Sequence, residues 1–254
     1  MKAMLLVLTT AATLAIPAAV RAENPPPISS SVTAETRAQI AKNAELKGDI
    51  ARAQSEFGSA EIWYSLAIRN NNRDALLYNK LGIVEMKLGY MNQARKDFVQ
   101  AIHLDPSSVD ALNNLGAVYC LQRKYRPAVR YLKEALALDE SKAVSHLNLA
   151  EAWMGEKQID RAMTEYARAL ELDADILTST DKEGVFAQIS TPEQRAIIDF
   201  MIAKAYMKRG NLEGALDYLR QAKEGHFRDL ASVYTDPVFS PLWKDPRLAD
   251  IVKR

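Results

Sequence analysis

The sequence predicts an all-α solenoid of stacked helix pairs, and a tandem repeat is the main observation behind this prediction. Leu81-Gly82 returns as Leu115-Gly116 and again as Leu149-Ala150, each time 34 residues further along the chain. Apolar residues follow a helical period from about Ala34 to about residue 174, and no segment keeps the alternation of a strand. A unit of this length does not bury its apolar face alone, so copies stack and form an extended concave surface. Such a surface favours binding over catalysis.

Residues 1–22 are typical of a secretory signal peptide. Lys2 precedes an apolar run over residues 3–20, and Val20-Arg21-Ala22 gives the small-residue pattern of a cleavage site. We expect cleavage after Ala22 and export to the periplasm or out of the cell. A retained membrane anchor is the alternative, because the run approaches the length that spans a bilayer. Residues 23–31 contain Pro25-Pro26-Pro27 and three serines, which favours an extended tether.

Composition argues against a nucleic-acid partner and against a disulfide framework. The 33 basic and 32 acidic residues become 31 and 32 once Lys2 and Arg21 are removed, and the charges are mixed along the helices instead of forming a basic stripe. Cys120 is the single cysteine, so stability has to come from packing. We expect Cys120 to be a small buried side chain.

The repeated residues resemble the tetratricopeptide repeat. In residues 75–108 the matching positions are Tyr78, Leu81, Gly82, Ala94, Phe98, Ala101 and Pro106, and only Glu85 stands where an apolar side chain or Tyr is usual. Residues 109–142 and 143–176 keep the pattern, and weaker copies lie at 41–74 and 196–227. The resemblance implies a right-handed superhelical solenoid of antiparallel helix pairs over residues 32–227, with a protein-binding role.

The repeat pattern has a physical basis in close helix packing. Gly or Ala at the eighth position of each copy lets the first helix approach the second closely, and large side chains fill the remaining space. Gly89 is placed to open the turn between the two helices of its copy. Residues 177–195 form an insertion before the last copy, and Thr191-Pro192-Glu193-Gln194 predicts a capping box from which a long helix starts.

Residues 228–254 are predicted to cover the open end of the last repeat. Three helix-start signals lie there, Asp236-Pro237, Ser240-Pro241 and Asp245-Pro246, with apolar residues between them. The segment resembles the closing segment of bacterial tetratricopeptide arrays.

The resemblance also predicts which residues line the concave groove, because the first helix of each copy faces it in the family. The predicted groove residues are Asn79, Lys80, Ile83, Met86, Asn113, Asn114, Ala117, Cys120, Leu147, Asn148, Glu151 and Met154. An asparagine side chain both donates and accepts, so the four asparagines could bond the backbone of an extended partner. The alternative is that they satisfy neighbouring helix ends or face water.

Sulfur-containing side chains recur at the twelfth position of successive copies, as Met86, Cys120, Met154 and Met207. Flexible methionines suit adaptable apolar partners. A Cu(I) site is the alternative, but side chains one repeat apart are about 10 Å from each other, too far to share one ion.

Catalytic and ligand-gripping patterns are weak in this sequence. His103, His146 and His226 lack metal-ligand spacing, and no glycine-rich phosphate loop is present. Some members of the family grip a carboxylate with a set of Lys, Asn and Arg residues over three copies. This chain does not reproduce that set, because two of its positions hold Asp110 and Val144 and a third holds Asn148 where a cation is needed. We therefore expect no enzyme activity, cofactor, metal or small-molecule substrate.

The sequence as a whole predicts an exported scaffold or adaptor that binds another protein or peptide segment of the cell envelope. Two alternatives stay open. One is a self-assembling structural or spacer protein, and the other is a membrane-tethered accessory subunit with an uncleaved amino-terminal helix.

Overall fold

A computed structural model describes residues 33–173, 175–176 and 191–253. The predicted signal peptide, the tether and residues 177–190 of the insertion therefore lie outside the described residues. In this described part of the chain, the first ten α-helices form five antiparallel pairs. They are α1 (Ala34–Ala53), α2 (Phe57–Asn70), α3 (Ala75–Lys87), α4 (Met91–Leu104), α5 (Val109–Leu121), α6 (Tyr125–Leu138), α7 (Ala143–Gly155), α8 (Ile159–Leu172), α9 (Pro192–Lys208) and α10 (Leu212–Glu224).

The described residues after α10 form three short helices. Two are 3-10 helices, Leu230–Tyr234 and Pro237–Leu242, and the third is α11, Pro246–Val252. Asp236 and Asp245 cap two of these helices through their carboxylates, as the sequence predicts. Ser240-Pro241 does not start a helix, so that prediction was wrong. The turn that begins at Pro237 already includes Ser240, and Pro241 continues it.

The described residues form an all-α solenoid, which confirms the predicted fold class. Each helix packs mainly against its neighbours in sequence, α1 against α2, α2 against α3, and so on along the array. Among the helices of the described residues, none combines the length and apolar character that crossing a membrane requires.

Glycine at the eighth position allows the close packing that the sequence predicts. A Cβ on Gly82 would lie 2.7 Å from the ring of Phe98, and one on Gly116 would lie 2.5 Å from Leu132. Both large side chains are fully buried. The first and second helices of these pairs are therefore too close for a methyl group at this position.

The turns inside the helix pairs share a left-handed residue at the fifteenth position. Gly89 has φ +82° and Gly210 has φ +73°, while Ser55, Arg123 and Lys157 adopt φ near +60° without being glycine. Gly89 thus opens its turn as predicted. The capping box at Thr191 is also present, since its hydroxyl accepts from the Gln194 amide and the Gln194 side chain accepts from the Thr191 amide.

The core is divided along the array. The first four helix pairs bury four small clusters. Two lie between the first and second pairs, and one lies at each of the next two junctions, such as Met86 with Phe98 and Leu115. From α7 onward a single cluster runs through α8, α9, α10 and the three short helices. Phe239 and Leu248 of the carboxy-terminal segment belong to that cluster, so the segment packs directly against the last repeat.

Candidate binding groove

The first helices of the pairs form the inner layer of the array. Helix α5 packs against both α3 and α7, whereas the second helices α4, α6 and α8 pack against one another far less. In a curved stack the layer with the closer neighbours lies on the concave side. The predicted groove residues all lie on α3, α5 and α7, and hence on this layer.

Most of the predicted groove residues are buried. Lys80 and Ile83 are half-buried. The others are buried, namely Asn79, Met86, Asn113, Asn114, Ala117, Cys120, Leu147, Asn148, Glu151 and Met154. Ten of the twelve predicted residues are therefore largely shielded from solvent, and their contact with a partner stays a prediction.

The four asparagines bond to one another across the joints between repeats. The Asn114 amide donates to the Asn79 side-chain oxygen at 3.0 Å, and the Asn148 amide donates to that of Asn113 at 3.1 Å. The Asn113 amide also donates to the Asn114 oxygen at 3.3 Å. These amides are thus engaged with each other, because the stacking of the copies brings the fifth position of one helix beside the sixth position of the next.

The fifth and sixth positions also hold complementary side chains at the other two joints between copies. Between the first and second copies, Lys80 Nζ lies 2.7 Å from a Glu45 carboxylate oxygen, and Glu45 and Lys80 are 35 residues apart, as are both asparagine pairs. Between the fourth and fifth copies the positions hold Leu147 and Met201, which lie in one apolar cluster. We call these four joints the inter-repeat ladder. It runs ion pair, amide pair and amide pair, and its last joint holds two apolar side chains of one core cluster.

A second matched contact links the two helices within a pair. The Tyr64 hydroxyl donates to Asp49 at 2.7 Å, and the Tyr166 hydroxyl donates to Glu151 in the same way. Burial pushes the pKa of Asp49 upward, but hydrogen bonds from Lys80 and Tyr64 outweigh burial and lower it overall. Burial raises the pKa of Glu151 to about 7, and its bond from Tyr166 limits the rise.

Glu85 is the residue that departs from the repeat pattern, and it is buried. Its carboxyl lies between α3 and α4 within hydrogen-bonding reach of Asp97, and Glu61 of α2 is nearby. One carboxyl oxygen of Glu85 has no hydrogen-bond partner in the described residues. Burial and then the charge of Asp97 raise the pKa of Glu85 to about 8, and burial also raises that of Asp97.

The sulfur side chains at the twelfth position face the core and not the groove surface. Met86 belongs to one core cluster, Cys120 to the next, and Met154 and Met207 to the carboxy-terminal one. Burial raises the pKa of Cys120 to about 12, so the thiol stays protonated at neutral pH. Within the described residues, no group of three or more His, Cys, Asp or Glu side chains is arranged to hold a metal.

His146 is held between two acceptors. One ring nitrogen lies 2.7 Å from a Glu165 carboxylate oxygen, and the other lies 3.0 Å from the backbone oxygen of Glu140. Both nitrogens are therefore used in local structure, which is the ordinary role of a largely buried histidine.

Exposed apolar side chains remain on the first helices of the second and third copies. Leu76 is 53% exposed at the start of α3, and Leu121 is 36% exposed at the end of α5. Ile83 in the middle of α3 is half-buried, so apolar side chains stay accessible at separate places on this layer. We call these three residues the groove contacts.

A cleft of about 420 Å³ separates the fourth and fifth helix pairs. Its walls carry Leu170 and Met201 with several cations, and the cations are paired. Lys208 Nζ lies 2.7 Å from Glu171, and Lys204 Nζ lies 2.6 Å from Asp236. The cleft therefore has no unbalanced charge that would select a ligand.

Comparisons with known proteins agree with this architecture. Two models of the tetratricopeptide repeat match the sequence, one over residues 108–138 and the other over residues 75–108 and 200–224. The family is therefore matched over residues 75–138 and 200–224 of this chain. Proteins built from such repeats are generally non-catalytic scaffolds for interactions between proteins.

Solved structures show the same fold at low identity. MamA from Desulfovibrio magneticus RS-1 aligns with a TM-score of 0.53 and 17% identity over 73% of this chain and 94% of that chain. A thermophilic tetratricopeptide protein from Thermus thermophilus aligns with a TM-score of 0.52 and 21% identity over 77% of this chain and 97% of that chain.

Curated relatives are similar over part of their length. Hsp70-Hsp90 organizing protein 1 of Glycine max is 31% identical over 101 residues, which are 40% of this chain and 18% of that protein. Sperm-associated antigen 1 of Mus musculus is 21% identical over 230 residues, 87% of this chain and 25% of that protein. The chain thus spans about a quarter or less of the length of these relatives.

Proposed function

We propose that this chain is a non-catalytic adaptor that holds a segment of another protein in its concave groove. The observation that carries the proposal is the accessible apolar surface of the groove contacts, Leu76, Ile83 and Leu121, on the inner layer of a tetratricopeptide array. A relative named as an organizing protein for Hsp70 and Hsp90 supports a protein as the partner. Because the asparagines are engaged in the inter-repeat ladder, affinity would come from the groove contacts first.

We also propose that the adaptor works in the cell envelope. The support is the sequence of residues 1–22, with Lys2, the apolar run and the small-residue pattern that ends at Ala22. Cleavage there leaves Glu23 as the first residue of the mature chain. The partner is then another envelope protein.

Site-specific crosslinking in the native cells tests both proposals. A photoreactive residue replaces Leu76 or Leu121, and Val99 on α4 serves as the matched control because it is exposed to a similar degree, at 43%, on the second-helix layer. We expect one foreign protein to be captured from both groove positions and not from Val99. Peptide mass spectrometry of the same product is expected to give Glu23 at its amino terminus.

Three other results would contradict these proposals. Equal capture from Val99 would argue against the groove. Adducts of the chain with itself would favour the self-assembling alternative, and an amino terminus at Met1 would favour the membrane-tethered one.

A further inference from the structure

The contact between α3 and α4 contains two carboxyl groups where the repeat pattern calls for an apolar packing position. Glu85 occupies the eleventh position of its copy, which holds Tyr119 and Trp153 in the next two copies. Its side chain is only 6% exposed. Asp97 on α4, which is half-buried, faces it, so a buried acid and a partly exposed acid share one site.

The surroundings of Glu85 do not compensate two negative charges. Helix α2 brings a third acid, Glu61, and α3 itself brings the neutral hydroxyl of Tyr78 near Asp97. Helix α4 brings one cation, Lys96, which is exposed. Helix α5 brings Tyr119 to the adjacent core cluster. One oxygen of Glu85 has no partner in the described residues, although it is fully shielded from solvent. An ionised carboxylate left in that state would be strongly unfavourable, whereas a protonated one can donate to Asp97.

We propose that Glu85 and Asp97 share one proton in the folded protein and that loss of this proton loosens the contact between α3 and α4. The second helix pair is then a pH-sensitive joint of the array. Two carboxylates in contact repel each other when both are ionised, so the second of the pair's two protons leaves only at a raised pH. Asn79 lies on α3 and accepts from Asn114, so a loosened α3 also weakens the ladder to the third copy.

The direction of the pH effect follows from proton linkage. The pair holds its proton to a pH well above the value at which an exposed glutamate ionises, so the folded state binds more protons than the unfolded state over that interval. The stabilisation is complete below the unfolded pKa and is lost as pH rises through the folded one, near 8. Alkaline conditions therefore open this joint, and acidic conditions close it.

Carbon-13 NMR of the glutamate carboxyls in the full chain gives the first test. The Glu85 resonance is assigned by its absence in Glu85→Gln, or by its displacement in Asp97→Asn if the first variant does not fold. We expect its titration midpoint to lie above about pH 6, against about 4.3 for an unperturbed glutamate. A midpoint near the unperturbed value would overturn the proposal.

Hydrogen exchange gives the second test. It distinguishes this pair from Glu151, another carboxyl whose pKa is raised well above its usual value. After correction for intrinsic rates, we expect the protection of α3 and α4 amides to fall about ten-fold or more between about pH 6 and about pH 9. Glu85→Gln keeps the shape and donates to Asp97 without a titrating proton, so the fall is expected to disappear. Glu151→Gln, and Glu134→Gln at an exposed site, are controls in which we expect the fall in protection to remain. An unchanged fall in Glu85→Gln would overturn the proposal.

Discussion

At each joint between repeats, the side chain at the fifth position of one copy is complementary to the one at the sixth position of the next. The type of contact differs from joint to joint. Glu45 with Lys80 is an ion pair, the asparagines form amide pairs, and Leu147 with Met201 is apolar. In the amide joints, replacing the asparagine that accepts removes the acceptor of a buried side-chain amide on the next copy. A buried polar group without a partner is destabilising, whereas an apolar pair of similar shape is close to neutral.

The residue types of the ladder were visible in the sequence, but their role was not. The sequence left two roles open for the asparagines, bonding an extended partner in the groove or satisfying neighbouring helix ends and water. Their burial depends on how closely the superhelix brings α3, α5 and α7 together, and one sequence does not contain that spacing. The signal that could have shown it is the recurrence of complementary residues 35 positions apart. The tyrosine and carboxylate pairs 15 residues apart, Tyr64 with Asp49 and Tyr166 with Glu151, were missed in the same way.

A double-mutant cycle on one amide joint tests the matching. We expect Asn113→Leu to lower the free energy of unfolding by about 1–3 kcal/mol, because the buried amide of Asn148 loses its acceptor. Adding Asn148→Met makes this joint resemble the Leu147 and Met201 joint, so about 1 kcal/mol should return as a coupling energy. Urea unfolding measures each variant. Asn43→Leu, in an exposed amide pair with Gln39, is the control and is expected within about 0.5 kcal/mol of the parent. If the two substitutions change the free energy of unfolding additively, Asn113 and Asn148 do not stabilise each other and the proposal for this joint is wrong.

At the scale of helices, the eighth position sets the distance between the two members of a pair. Sequence reasoning predicted this, because a small residue recurs there and large side chains fill the space that remains. It missed the left-handed residue in three of the turns, since Ser55, Arg123 and Lys157 carry no glycine signal. Those residues hold φ near +60° because the two flanking helices fix the turn, which is a tertiary effect.

The close approach of α5 and α6 gives a prediction about glycine. We expect Gly116→Ala to lower the free energy of unfolding by about 1–3 kcal/mol, because its methyl group would overlap the fully buried Leu132. Gly58→Ala is the matched control. Nothing lies within 4 Å of a Cβ there, and alanine favours the helix by up to about 1 kcal/mol. Thermal or urea unfolding compares the two. Equal effects of both substitutions would show that helix propensity, not packing, decides the response at the eighth position.

At the scale of the whole molecule, stability is unevenly distributed. The amino-terminal pairs bury separate small clusters, and the outer side of α1 leaves Leu46 and Ile50 half or more exposed. The equivalent residues of the next copies are covered by the copy before them, such as Val84 and Val118, which are fully buried. The opposite end is different, because the carboxy-terminal segment joins the core of the last two pairs. Opening should therefore start at α1 and α2.

A substitution at Phe239 tests whether the two ends of the array open independently of each other. Phe239 is fully buried in the carboxy-terminal segment and packs 5.5 Å, centroid to centroid, from Phe200 of α9. Phe239→Ala should lower the free energy of opening there by about 3–5 kcal/mol, because it leaves a cavity in a continuous core. Contacts in a solenoid are with nearest neighbours, so hydrogen exchange is expected to accelerate in α9 and α10 and to change little in α3 and α4. Trp243→Ala, at a site 44% exposed in the same segment, should have a smaller effect. An equal loss of protection from α1 to α11 would instead mean that the described array opens as one unit, and the unevenness of the core would then have no consequence for its dynamics.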